Sequence, residues 1–111
     1  MPANIIDTQI QVHDIVLGSL PLKAKLNHIY YYKKNNKYRL VGTLRSPGGF
    51  DTTKDGVVVS GKIKLVRNSD TSFLSNIKQN GKFKVDIEKR DSLIFSSDVD
   101  EYRDLYLYFR K

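Results

Sequence analysis

Leu20–Arg45, LPLKAKLNHIYYYKKNNKYRLVGTLR, reads as two long strands joined by a polar turn, one face apolar and the other basic. Leu20, Leu22, Ala24 and Leu26 share one side, and Lys23, Lys25 and Asn27 share the other. That period of two marks a half-buried strand. Pro21 lacks an N–H and sits early, where an edge tolerates it. Beyond the turn, Leu40 and Leu44 alternate with Arg39, Thr43 and Arg45. The apolar set decides the pairing, because a slip of one residue sends every side chain to the wrong face. A two-residue Asn35-Asn36 turn sets Leu26 opposite Arg45. A five-residue loop, Lys33 to Lys37, sets Tyr32 opposite Tyr38, Tyr30 opposite Leu40 and Leu26 opposite Leu44. The second keeps one apolar face intact. It predicts Tyr30, Tyr32 and Tyr38 inward, Tyr31 on the basic side, and His28 inward as a hydrogen-bonded core histidine.

Working outward, Ile6 to Val12 alternates as a strand, continued by Ile15 to Leu17 and broken at Gly18-Ser19. Ser46 to Gly56, SPGGFDTTKDG, is dense in turn formers and reads as a loop, with Phe50 anchoring it on the core. Val57 to Arg67 reads as one strand, bent or bulged at Gly61. Ser69-Asp70 looks like a helix start, with Phe73, Leu74 and Ile77 as an apolar face and Asn80-Gly81 as the stop, giving one short helix near residues 70–79. Lys82 to Glu88 alternates most cleanly, with Phe83, Val85 and Ile87 inward. Leu93-Ile94-Phe95 is a short apolar patch. Ser97 to Asp104 is acidic, with capping-box-like spacing for a turn of helix. Leu105 to Lys111 is a strand with bulky residues on both faces.

The chain of 111 residues shows no internal repeat and no boundary, so residues 1–111 are expected to form a single β-rich domain. From Leu20 to Arg110 the element order β-β-β-α-β-β resembles an OB-fold, which implies a small β-barrel with an extra N-terminal strand. A β-sandwich with a small helix is the alternative.

The charge is +7 and uneven: −2 over residues 1–19, +11 over residues 20–84 and −2 over residues 85–111. A basic middle attracts polyanions, and it also lets the acidic end of one copy dock on the next. Lys, Asn, Ile and Tyr are abundant, which fits a low-GC genome such as that of a phage or virus. No cysteine is present, so disulfides and thiolate metal sites are excluded. No apolar run approaches the ~20 residues of a membrane span. The start, MPANIIDTQIQ, lacks the basic and apolar regions of a signal peptide. A cytoplasmic or virion location is therefore expected, and no membrane partner.

Reactive groups do not converge. His13 and His28 are the only histidines, and neither a G-x-S-x-G elbow nor a phosphate loop is present. Asp98, Asp100, Glu101 and Asp104 form one carboxylate cluster, but without the glycine and final glutamate of an EF-hand. No enzyme, metal or cofactor is expected.

Two binding roles remain, with an inhibitor of a host protein as a third. In the first, Tyr30, Tyr31, Tyr32, Tyr106 and Tyr108 form protein interfaces of a structural or assembly subunit, such as a component of a phage or viral particle, through self-association or a larger protein assembly. In the second, Lys23, Lys25, Arg39, Arg45, Lys62, Lys64, Lys82 and Lys84, with Tyr31, bind single-stranded nucleic acid. The inward placement of Tyr30 and Tyr32 favours the first.

Overall fold

The structure, a computed structural model, describes residues 4–5, 10–14, 22–32, 34–47, 55–99 and 102–109. Those residues form ten strands: β1 (Asn4–Ile5), β2 (Ile10–Asp14), β3 (Lys23–Tyr32), β4 (Lys37–Pro47), β5 (Asp55–Val58), β6 (Gly61–Arg67), β7 (Asp70–Ile77), β8 (Lys82–Ile87), β9 (Ser92–Ser97) and β10 (Leu105–Phe109). All pairings are antiparallel, and they make two five-stranded sheets. The first runs β1-β3-β4, with β8 and β5 sharing the far edge of β4. The second runs β2-β10-β9-β6-β7.

The apolar alternation of each strand turns one side of each sheet toward a common core. Leu22, Ile29, Leu40, Leu44, Phe83, Val85 and Ile87 come from the first sheet and its approach. Ile63, Ile77, Leu93, Phe95, Leu105, Leu107 and Phe109 come from the second. Phe83 meets Phe95 at 5.0 Å between ring centroids, and Tyr38 meets Phe109 at 4.6 Å, so rings of both sheets touch across the interior. Each fully buried Leu, Ile or Phe contributes about 2 kcal/mol of transfer free energy.

The expected helix near residues 70–79 is instead β7. Asn68 and Ser69 both take positive φ, 52° and 70°, and Arg67 pairs with Asp70. That is a two-residue turn of the kind whose twist matches a hairpin. It returns the chain along β6, where Thr71, Phe73 and Ile77 suit a pleated surface. With no helix there, the order that resembled an OB-fold is not realised. The described strands form two sheets rather than one.

Val57 to Arg67 is not one strand either. β5 belongs to the first sheet and β6 to the second, and Val59-Ser60 carries the chain between them. Gly61 opens β6 so close to β9 that an added Cβ would collide with the Ser96 carbonyl oxygen. On the edge of β4, Leu44 N donates to Gly81 O at 2.8 Å, and Leu44 O accepts from Val59 N at 3.1 Å. Gly81, at φ 72°, fills the junction between β5 and β8; a Cβ there would lie 2.8 Å from both Leu44 O and Val58 Cβ.

The hairpin register also departs from expectation. Tyr32 pairs with Lys37, Tyr31 with Tyr38, Tyr30 with Arg39, Ile29 with Leu40 and His28 with Val41. Leu26 then pairs with Gly42 and Ala24 with Leu44, because a bulge intervenes between Leu26 and His28. The bulge inserts one residue, so the inward set switches from Leu22, Ala24 and Leu26 to Ile29 and Tyr31. Gly42 admits the bulge: a Cβ on it would strike the Lys25 carbonyl oxygen. The loop is four positions long rather than five, with Asn36 at φ 52°.

β8, β9 and β10 lie where alternation and apolar runs place strands. Parts of the expected N-terminal strand, residues 6–9 and 15–17, and most of the loop before β5, including Phe50, lie outside the described residues.

Candidate nucleic-acid interface

The bulge and the four-position loop decide which side chains share the outer face of the first sheet. On β4, Leu40 and Leu44 point inward, so Lys37, Arg39, Val41, Thr43 and Arg45 point outward. Their cross-strand partners complete a series of rows. Tyr32 lies beside Lys37; Tyr30 beside Arg39 and Asp86; His28 beside Val41 and Lys84; Lys25 beside Thr43 and Lys82; and Lys23 beside Arg45. Successive rows are two residues apart, about 7 Å, so the five rows cover about 27 Å.

This placement corrects the expected faces. Tyr30 and Tyr32 are half-buried on the outer face with the basic residues. Tyr31 is on the other side, stacked on Tyr38 at 4.9 Å, with its hydroxyl donating to Asn36 Oδ1 at 3.1 Å. His28 is exposed rather than a core histidine, and its ring lies 5.6 Å from Tyr30. Three rings therefore occupy one half of the face.

Arg39 is held at that aromatic end. Its Nε and Nη2 donate to the two carboxylate oxygens of Asp86 at 2.8 and 3.1 Å, and its guanidinium carbon sits 5.1 Å from the Tyr32 ring centroid. The fork matches a carboxylate and the plane favours an aromatic face. The hydrogen bonds from Arg39 hold the Asp86 carboxyl below its usual range, against the burial that pushes it up. Lys37 Nζ reaches Glu88 Oε2 at 3.4 Å. Tyr32, Asn35, Lys37, Arg39 and Asp86 line a surface hollow of about 370 Å³. Arg39 and Lys37 are thus partly neutralised. The other half of the face, with Lys25, Lys82 and Lys84 exposed, carries its net positive field. Arg45 there donates from Nη1 to Gly56 O at 3.1 Å.

The two predicted residue sets are each split. Lys23, Lys25, Arg39, Arg45, Lys82 and Lys84 share the first sheet, while Lys62 and Lys64 are exposed on β6 of the second. Tyr106 and Tyr108 are half-buried on the outer face of the second sheet, edge to face at 5.9 Å, away from Tyr30 and Tyr32. Sequence reasoning missed Tyr30, Tyr32 and His28 as members of the basic face. The one signal for them was Gly42, a small residue where a neighbouring backbone could bulge.

Of the acidic cluster, Asp98 accepts from Ser60 Oγ at 2.7 Å, while Asp100 and Glu101 lie outside the described residues. Among the described residues no group of three His, Asp or Glu is placed to hold a metal ion, and no helix is long and apolar enough to cross a membrane. No family model, no curated protein and no solved structure matches the chain.

Proposed function

We propose that this chain is a non-catalytic binding protein that takes single-stranded nucleic acid on the outer face of the first sheet. The observation that carries the reading is that Tyr30, Tyr32 and His28 share that face with Lys25, Lys82 and Lys84. Phosphates need charge, and unstacked bases need a ring to lie on. Here the lysines hold the backbone and the two tyrosines stack bases. Arg39, clamped by Asp86, keeps the Tyr32 ring in place. The face would cover a short run of nucleotides, at the low end of the roughly 4–16 typical of single-strand grooves.

Fluorescence anisotropy of a labelled oligothymidylate tests this. Binding at low salt is expected, weakening as salt rises with a log–log slope of about −2 to −4, as three to five phosphate contacts would give at about −0.7 each. No binding at low salt, or binding indifferent to salt, overturns it.

A second reading, a subunit of a protein assembly, is favoured by Tyr106 and Tyr108 on the opposite outer face. It predicts self-association that does not depend on nucleic acid.

A further inference from the structure

Among the described residues, Thr43 Oγ1 and Arg45 Nε are buried side-chain atoms with no hydrogen-bond partner. A donor buried in that way costs free energy, so it marks strain or a place where a polar group binds. The two residues hold successive outward positions of β4, about 7 Å apart, at the cationic end of the first sheet. Thr43 pairs with Lys25 on one side and with Lys82 on the other, and Arg45 pairs with Lys23 and Val58. Directly opposite residues share a face and lie about 5 Å apart at Cα. Lys25 and Lys82 are both exposed. These two rows hold no carboxylate, whereas Asp86 and Glu88 neutralise Arg39 and Lys37 at the aromatic end. Arg45 Nη1 donates to Gly56 O at 3.1 Å, which ties the guanidinium to β5.

We infer that Thr43, Lys25, Lys82 and Arg45 form a subsite for one phosphate group. The Thr43 hydroxyl and Arg45 Nε each donate to a phosphate oxygen, and the two lysines supply the opposing charge. Hydrogen bonds to an anion are strong, and more so where water is excluded. The lysines that flank the hydroxyl have flexible stems, which can part to admit an oxygen.

A phosphodiester of a nucleic-acid strand and free phosphate share the chemistry this subsite recognises. Choosing the strand as the source rests on the function proposed above; the subsite does not. Tyr30, beside Arg39, lies four β4 positions from Thr43, about 13 Å along the strand. A phosphate held at Thr43 therefore sets where the strand lies relative to the rings.

Thr43→Val tests this, because it keeps the shape and the charge of the face and removes only the hydroxyl. Its urea midpoint is expected to equal or exceed the parent's, since no protein partner is lost. Its affinity for a labelled oligothymidylate at low salt is expected to fall about tenfold, the worth of a hydrogen bond to a charged group. The salt slope stays that of the parent, whereas Lys25→Gln flattens it by about 0.7. Thr43→Ser restores the affinity. A Thr43→Val affinity within twofold of the parent's overturns the subsite and leaves the proposed function standing. A loss of stability alongside the loss of affinity makes the hydroxyl structural and overturns the subsite too. In a second arm, inorganic phosphate at constant ionic strength is expected to shift the amide resonances of Lys25, Thr43 and Lys82 to saturation in the parent and not in Thr43→Val. No such shift overturns the subsite. Phosphate binding without oligothymidylate binding removes the proposed function alone, with free phosphate as the ligand.

Discussion

Arg67 and Asp91 face each other through two 2.7 Å hydrogen bonds, Nε to Oδ1 and Nη2 to Oδ2. The pair ties the end of β6 to the turn between β8 and β9, where the chain crosses from the first sheet to the second. Asp91 is buried, and its Oδ2 also accepts from Glu88 N at 2.7 Å. Glu88 in turn receives Arg67, Arg90 and Lys37 at 3.1, 3.4 and 3.4 Å. Two carboxylates therefore share the crossover: Asp91 orders the turn, and Glu88 anchors three basic side chains around it.

Burial pushes the Asp91 carboxyl up, but Arg67 and the Glu88 amide outweigh it and hold it below its ordinary value. A depressed folded pKa stabilises the protein above the unfolded value of about 4 and stops doing so as pH falls through the folded value. Asp91→Asn is expected to cost about 3 kcal/mol at neutral pH, since it leaves buried donors without their charge partner. Urea titrations at neutral and acidic pH check this. The deficit is large at neutral pH and shrinks below about pH 4. A deficit that does not change with pH would place the stabilisation elsewhere.

The turn between β6 and β7 holds Ser69 at φ 70°, in the left-handed region. A side chain there costs about 1 kcal/mol, which glycine avoids. Ser69→Gly should raise stability by up to about 1 kcal/mol, offset in part by the freer unfolded chain. Thermal unfolding would show a midpoint higher by a few degrees. A lower midpoint would contradict the hairpin at this position.

Gly61 and Gly81 sit where two backbones approach each other. Gly61→Ala pushes β6 off Ser96 of β9, and Gly81→Ala adds left-handed strain to contact with Leu44 and Val58. Each should cost about 2 kcal/mol or more by overpacking. Denaturant midpoints measure it. A neutral result at Gly61 would mean that the crossing into β6 runs differently.

Strands whose pattern is fixed by one buried face were legible in the sequence. β8 is the clearest, because Phe83, Val85 and Ile87 alternate with Lys82, Lys84 and Asp86 without interruption. β7 was not, because Phe73, Leu74 and Ile77 fall at spacings that a helix also uses, and Ser69-Asp70 imitates a helix cap. The competing signal was the Asn68-Ser69 turn, weaker than Asn-Gly. The hairpin failed for a different reason. Unbroken alternation carries one phase through Asn27, but the bulge there reverses the facing of everything after it. The basic residues of the candidate face were legible by type. Their grouping was not, because the chain changes sheets at Val59-Ser60 and carries Lys62 and Lys64 away from the rest.

Tyr30 and Tyr32 are proposed as the stacking rings of a lysine-lined face. The most direct measurement compares the affinity of a labelled oligothymidylate for two double variants, Tyr30→Ala/Tyr32→Ala and Tyr106→Ala/Tyr108→Ala. Stacking is worth about 1–3 kcal/mol per base, so the first pair should weaken binding at least tenfold. The second pair, on the opposite sheet, should leave it within about twofold of the parent. Equal losses, or a loss confined to Tyr106 and Tyr108, would contradict the account.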